Sequence, residues 1–141
     1  MCFKKKITIT EPIVNPLKSA GKIEAGKMYA IIQSKIDEMN DEASIFMPDM
    51  KMKIYNKEEI KKWLNLDETD KIVFVEEEHD CDDFAAELFG KGVPVIWSTK
   101  HALNWFVDTM DTLWFIEPQT DKISQTLEDW QGWDIRFFLG R

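Results

Sequence analysis

The sequence predicts an α+β fold, for three reasons. Apolar residues recur at helical spacing in the first two-thirds of the chain, short apolar runs of strand length follow, and no internal repeat interrupts them. Helices and strands that are separated along a chain are typical of α+β domains, whereas alternation favours α/β folds. The length of 141 residues predicts one domain, with an N-terminal helical part over about 1–66 and a helix with an antiparallel sheet over about 67–141.

The first half of the chain predicts two short strands and two helices. Residues 7–10 alternate between apolar and polar, as a half-buried strand does, and residues 45–47 form a second strand candidate. Over residues 24–39 the apolar side chains fall on one helix face. Asn56 lies three residues before Glu59, an arrangement typical of a capped helix start, so a second helix begins there.

The second half predicts one further helix among strands. Residues 71–75 alternate as a strand, residues 84–89 return to helical spacing, and Gly90 ends that helix. The remaining strand candidates are short apolar runs separated by turn-like residues; they are 93–97, 102–107, 113–116 and 134–139.

Composition limits the possible partners and location. The 44% hydrophobic content, with six Trp and nine Phe, is enough for a packed core. The net charge of −8 repels phosphate backbones, so nucleic acid is not an expected partner. No apolar stretch is long enough to span a bilayer and no signal-peptide core is evident, so a membrane is not expected as a partner either. Two cysteines without a disulfide framework favour a cytoplasmic location.

Cys81 lies where a helix is expected to begin. Asp80 is a suitable N-cap, and Asp82 and Asp83 fall in the first turn, where the helix dipole stabilises negative charge. A helix N-terminus lowers the pKa of a thiol, which favours a nucleophilic thiolate, whereas the neighbouring carboxylates raise it. A small buried cysteine that fills a gap in the core fits the same pattern.

His101 and Glu117 flank a predicted hairpin. If they oppose each other across an antiparallel pair, their side chains point to the same face, and residues 108–110 form a three-residue loop. A two-residue loop would place them on opposite faces. A helix-borne thiol, a strand-borne imidazole and a carboxylate that orients it are the three parts of cysteine nucleophilic catalysis. Cys81, His101 and Glu117 are therefore the candidate catalytic residues, and Gln119 is a second candidate to face the imidazole.

Three short segments resemble a known family. They are Asp80-Cys81-Asp82-Asp83-Phe84-Ala85, His101-Ala102-Leu103-Asn104 and Phe115-Ile116-Glu117-Pro118-Gln119. Together they resemble the papain-like, transglutaminase-like cysteine peptidases, as found in the C-terminal domain of fungal galactose-binding chimerolectins and in small phage and bacterial relatives. The match covers roughly residues 44–124.

This resemblance implies a papain-like core, in which the helix that carries Cys81 packs on an antiparallel sheet that carries His101 and Glu117. It implies supporting roles for Gln119, Asp80 and Asn104. It also makes Asp80, Asp82 and Asp83 weak calcium candidates, and no other cofactor is implied. The Cys-Gly-Ser-Cys-Trp signature of true papains is missing, so the resemblance does not supply a substrate.

The sequence thus predicts a thiol hydrolase or transamidase, such as a cysteine protease, that acts on an amide bond of a peptide or protein substrate. The alternative is a non-catalytic binding module on the same fold, for example a phage protein that engages a host factor. A third hypothesis makes His79, Cys81 and His101 ligands of a transition metal, but neither of the usual zinc-ligand spacings is present. The sequence leaves the oligomeric state open.

Overall fold

The computed structural model describes residues 16–127 and 129–141 and has an α+β architecture. The helices are α1 (Ala25–Glu38), α2 (Lys57–Leu66) and α3 (Cys81–Gly90). The strands are β1 (Gly21–Glu24), β2 (Ser44–Phe46), β3 (Lys51–Ile54), β4 (Val95–Ser98), β5 (Ala102–Val107), β6 (Leu113–Glu117), β7 (Lys122–Ser124) and β8 (Ile135–Leu139). Within these residues no helix has both the length and the apolar character needed to cross a bilayer.

A six-stranded sheet with the order β2-β8-β4-β5-β6-β7 forms the centre of the fold. Only β2 and β8 run parallel; the other neighbours are antiparallel. β1 and β3 form a separate antiparallel pair. The hairpin of β5 and β6 therefore lies inside the large sheet, and all six residues of β5 are buried.

Each face of this sheet is covered by a different set of elements. On one face Leu103 and Trp105 of β5 belong to a core cluster with Met28 and Ile32 of α1. On the other face Phe106 packs in a cluster with residues of α2 and α3. Alternate side chains of a strand point to opposite faces, and this explains why β5 is apolar throughout and has no polar face.

The helix predictions and most of the strand predictions are confirmed. The structure places α1 and α2 where helical spacing predicted them, and Met28, Ile32 and Ile36 are the buried face of α1. The prediction of a strand over residues 71–75 is wrong: a 3₁₀ turn covers Thr69–Lys71, and Val73 and Phe74 are exposed. β1, β3 and β7 were missed because they are three or four residues long. The strand predicted at 7–10 lies outside the described residues.

The predicted hairpin register is wrong by two residues, although its parity is right. Asn104 pairs with Ile116 and Val107 with Leu113, so the loop spans the five residues 108–112 instead of three. Asp108 explains the longer loop, because its carboxylate accepts the backbone N–H groups of Met110 and Thr112 at 2.8 and 2.9 Å. A slip of two residues keeps every side chain on its face.

The N-cap of α2 matches the prediction from its sequence. Asn56 Oδ1 accepts the backbone N–H of Glu59 at 3.1 Å, which satisfies one of the free donors of the first turn. We expect Asn56→Ala to lower the free energy of unfolding by about 1 kcal/mol, the usual cost of losing such a cap. Urea unfolding followed by circular dichroism measures this, and Asn56→Asp should retain most of the stability.

Candidate ligand groove

An open groove crosses the molecule where β5 begins and β6 ends. One part has a volume of about 520 Å³ and is lined by Phe74, Cys81, Lys100, His101, Glu117, Gln119, Thr120, Lys122, Asp129, Trp130 and Gln131. A second part of about 540 Å³ continues past the β6–β7 turn to Lys57, Lys61 and Asn65. The two parts share Thr120, Lys122, Asp129 and Trp130, so they form one elongated depression.

His101 and Glu117 face each other in the first part of this groove. His101 Nε2 lies 2.7 Å from Glu117 Oε2, and the two side chains are 12% and 10% exposed. Ser98 fixes the backbone of His101, since its hydroxyl accepts the His101 N–H at 2.9 Å. The other oxygen of Glu117 accepts the backbone N–H of Gln119 at 3.2 Å. The imidazole is therefore held in one orientation by a carboxylate that is itself fixed.

Cys81 lines the groove, and the pKa of its thiol is raised. It is the first residue of α3 and is partly buried. Burial raises the pKa of the Cys81 thiol, and the carboxylates of Asp80 and Asp82 add to this, while hydrogen bonds from the backbone of Ala102 and Asp82 oppose it. Among residues 16–127 and 129–141, no hydrogen bond joins the Cys81 sulfur to His101. Activation of the thiol by an imidazolium therefore stays a prediction.

The side chains of Asp80 and Asp83 accept backbone hydrogen bonds at the start of α3. Asp83 Oδ2 accepts the Asp80 backbone N–H at 3.1 Å, and Asp80 Oδ2 accepts the N–H of Glu77 at 3.3 Å. With Asp82 they place three carboxylate oxygens within 4.8 Å of one another. Calcium takes six to eight oxygens, so these three do not make a calcium site by themselves, and the calcium prediction stays a prediction.

The transition-metal hypothesis gains no support from the described part of the chain. The three aspartates at the start of α3 are the only set of three or more potential ligands that converges there. His79 packs its ring edge-on against Phe84, with centroids 4.5 Å apart, and does not join Cys81 and His101 in such a set.

Asn104 lies in the core and does not line the groove. It is fully buried, and its Nδ2 donates to the carbonyl oxygens of Ala85 at 3.0 Å and Pro94 at 3.1 Å. These two bonds tie β5 to α3 and to the segment before β4. Asn104 therefore helps to fix the position of α3, and with it Cys81.

Sequence reasoning missed the opposite wall of the groove. Trp130, half-buried, and Asp129 come from the segment between β7 and β8, and Lys122 comes from β7. Gly132 lets this segment approach β5, since a Cβ there would lie 2.7 Å from Leu127 and 3.1 Å from Leu103. Two tryptophans among polar turn residues, at 130 and 133, are the signal that would have indicated a surface site here.

Comparison with known proteins finds a likeness in structure alone. No protein-family model matches this chain, and no curated protein matches its sequence. Among solved structures, it is similar to a lectin of Polyporus squamosus bound to the human-type influenza-binding epitope Neu5Acα2-6Galβ1-4GlcNAc, with a TM-score of 0.65 and 19% identity over 84% of this chain and 49% of that one. It is also similar to the PSL1a–E64 complex, with a TM-score of 0.63 and 20% identity over 84% of this chain and 51% of that one. This chain therefore shares its fold with part of each of those two chains and spans about half their length.

These findings correct the predicted chemistry. The prediction of a thiol hydrolase or transamidase, and with it of a cysteine protease, is wrong, because the fold is shared with a lectin. The raised pKa of the Cys81 thiol agrees with this correction. The predicted peptide or protein substrate is wrong as well, because the ligand named for the lectin is a trisaccharide. The resemblance therefore extends to the α+β fold and to the similar lectin structure.

Proposed function

We propose that this domain is a non-catalytic binding module and that its ligand, a carbohydrate, lies in the groove beside His101. The observation that carries the proposal is the polar lining of the groove, in which the His101–Glu117 pair, joined at 2.7 Å through one ring nitrogen, is fixed beside Lys100, Lys122 and Trp130. The module keeps a papain-like framework, in which α3 packs on the sheet that carries His101 and Glu117. Here that framework holds polar side chains in place for binding.

The lining of the groove suits a sugar. Sugar hydroxyls both donate and accept hydrogen bonds, and the groove offers acceptors in Glu117 and Asp129 beside donors in Lys100 and Lys122. Gln119 can do both. Pockets for drug-like ligands are mostly apolar, whereas this groove is open and rich in charged and amide groups, which favours a polar ligand.

Trp130 provides the apolar surface that such a ligand needs. Amphipathic aromatic side chains supply a large contact area at a small cost in conformational entropy, and they dominate the energetics of many binding sites. Because Trp130 lines both parts of the groove, a ligand that covers its ring can reach His101 in one part and Lys61 in the other. The ligand of the similar lectin, a trisaccharide, is of a suitable chemical class.

A glycan-binding measurement tests this proposal. The purified protein is applied to a panel of immobilised glycans that includes Neu5Acα2-6Galβ1-4GlcNAc and Galβ1-4GlcNAc, and hits are quantified by calorimetry. We expect Trp130→Ala to weaken binding at least about thirtyfold, because a central aromatic anchor contributes roughly 2 kcal/mol or more. Lys122→Ala, on an exposed side chain, should weaken binding without disturbing the fold.

Trp133→Ala is the matched control. Trp133 is 46% exposed and lies in the same segment, but it does not line the groove. The Trp133→Ala variant should bind glycan as tightly as the unaltered protein does. If no glycan binds, or if Trp133→Ala and Trp130→Ala lose binding equally while both stay folded, the proposal is wrong.

The same proposal includes the number of domains and the cellular location of the protein. We take residues 1–141 as one domain, a view supported by the pairing of β2 with β8, which joins the predicted N-terminal part to the large sheet. We place the protein in the cytoplasm, supported by the free thiol of Cys81. Mass spectrometry of Cys81 in protein taken from its native cells would show an oxidised residue if this location were wrong.

A further inference from the structure

Two carboxyl groups meet at one wall of the groove. Asp121 lies in the turn between β6 and β7, where it lines the second part of the groove, and its carboxyl group lies within hydrogen-bonding reach of that of Asp70 in the 3₁₀ turn after α2. Ionised carboxylates only accept hydrogen bonds, so this contact is a hydrogen bond only while one of the two groups carries a proton. The backbone of Asp121 is also constrained, with φ of +60° and its N–H donating to the Glu117 carbonyl at 2.9 Å.

The charges around this pair explain why it retains a proton. Asp67, at the C-terminal end of α2, forms an ion pair with Lys91, whose Nζ lies 2.7 Å from its carboxylate. Lys71 is the cation that acts on Asp121, and it also lies 3.9 Å from Glu68. Burial, followed by the negative charges of Asp70 and Asp67, raises the pKa of Asp121 to about 7.

A second observation concerns Asp70 itself. Its Oδ1 atom is buried and has no hydrogen-bond partner within the described residues. A buried acceptor without a donor destabilises the folded state, so an ionised Asp70 facing an ionised Asp121 is an unfavourable arrangement. A proton shared between the two carboxyl groups removes this cost, because it gives the pair one hydrogen-bond donor.

We propose that Asp70 and Asp121 share one proton, which fastens the β6–β7 turn to the 3₁₀ turn, and that its loss above neutral pH loosens the groove wall formed by Thr120 and Lys122. Both of these residues flank Asp121 in the chain, and both line the two parts of the groove. The shared proton therefore controls the shape of a wall that any ligand in the groove would contact.

The sign of the pH effect follows from linkage. Asp121 binds a proton more tightly in the folded protein than in the unfolded chain, because its pKa rises from 3.8 to about 7 on folding. Its stabilising contribution is complete below about pH 3.8, and it is lost as the pH rises through about 7. Stability and local order of the turn should therefore fall, not rise, between mildly acidic and mildly alkaline pH.

Amide hydrogen exchange of the ligand-free protein tests the proposal. The probe is the Asp121 N–H, which bonds to the Glu117 carbonyl. After correction for intrinsic exchange, its protection should fall at least about tenfold between about pH 5.5 and 8, the factor that corresponds to one pKa unit of coupling. In Asp121→Asn the change should be less than about threefold, because an amide donates to Asp70 at every pH and asparagine tolerates a positive φ.

Asp70→Asn is a second variant with the same expected result, and the exposed Asp49→Asn is the control that should keep the full pH response. Carbon-13 NMR of the side-chain carboxyl measures the titration of Asp121 directly. A midpoint near 4, or a protection that does not change with pH in the unaltered protein, overturns the proposal. Since no glycan is present, failure of the proposed sugar binding would leave this result unaffected.

Discussion

Trp105→Ala is expected to lower the free energy of unfolding by about 3–5 kcal/mol, as removal of a large buried aromatic side chain does in a well-packed core. Trp105 is completely buried at the middle of β5, and its ring contacts Phe138 edge-on with centroids 5.7 Å apart. Its Nε1–H donates to the Val95 carbonyl at 2.8 Å, so the variant also leaves a buried acceptor unpaired. Urea unfolding followed by circular dichroism gives the value.

Trp133→Ala is again the control, and because its side chain is 46% exposed the expected change is within about 0.5 kcal/mol. A loss below about 1 kcal/mol for Trp105→Ala would contradict the prediction, since it would mean that the core around β5 refills the space or is loosely packed.

Cys81 is expected to react slowly with iodoacetamide at neutral pH. In a Cys2→Ser background the rate should titrate with a midpoint above about 8.5, the value of an unperturbed thiol, because burial raises the pKa of Cys81. At about pH 6.5 the rate should therefore be at least roughly a hundredfold below its alkaline plateau. His101→Ala should leave the profile unchanged, since burial, Ala102, Asp80 and Asp82 act on the pKa of Cys81 and the imidazole is not among these causes.

Asp82→Asn provides the matched variant for this experiment. The Asp82 carboxylate contributes to the raised pKa of Cys81, so its removal should move the midpoint to lower pH. The result that would contradict the non-catalytic interpretation is a midpoint well below 8.5 that His101→Ala abolishes, because such a profile requires a thiolate–imidazolium pair.

Local sequence patterns predicted the helices well and the groove only in part. Asn56 and the apolar face of α1 are local signals, and the structure follows them. The parity argument placed His101 and Glu117 on one face, and the pair forms although the register differs by two residues. Parity survives such an error because side chains alternate with a period of two.

The features that the sequence did not predict depend on contacts between segments that are far apart in the chain. Nothing near Trp130 in the sequence indicates that it lies opposite Cys81, because the loop that carries it is positioned by Gly132 against β5. The strand predicted at 71–75 failed for a similar reason. Its β-prone residues find no partner strand, and only Val75 forms a single bridge, to His79.

The place of β8 in the sheet affects how the protein can fold during synthesis. β8 is the last of the described strands in chain order, yet it lies between β2 and β4 and pairs with both. While the ribosome has released only residues up to β7, β4 has an open edge and β2 has no partner strand among the described residues. Such exposed edges can pair with other chains, and the long-range closure is slow. A nascent chain stalled before residue 135 should therefore recruit chaperones, whereas release of a few more residues should complete the sheet and end that recruitment.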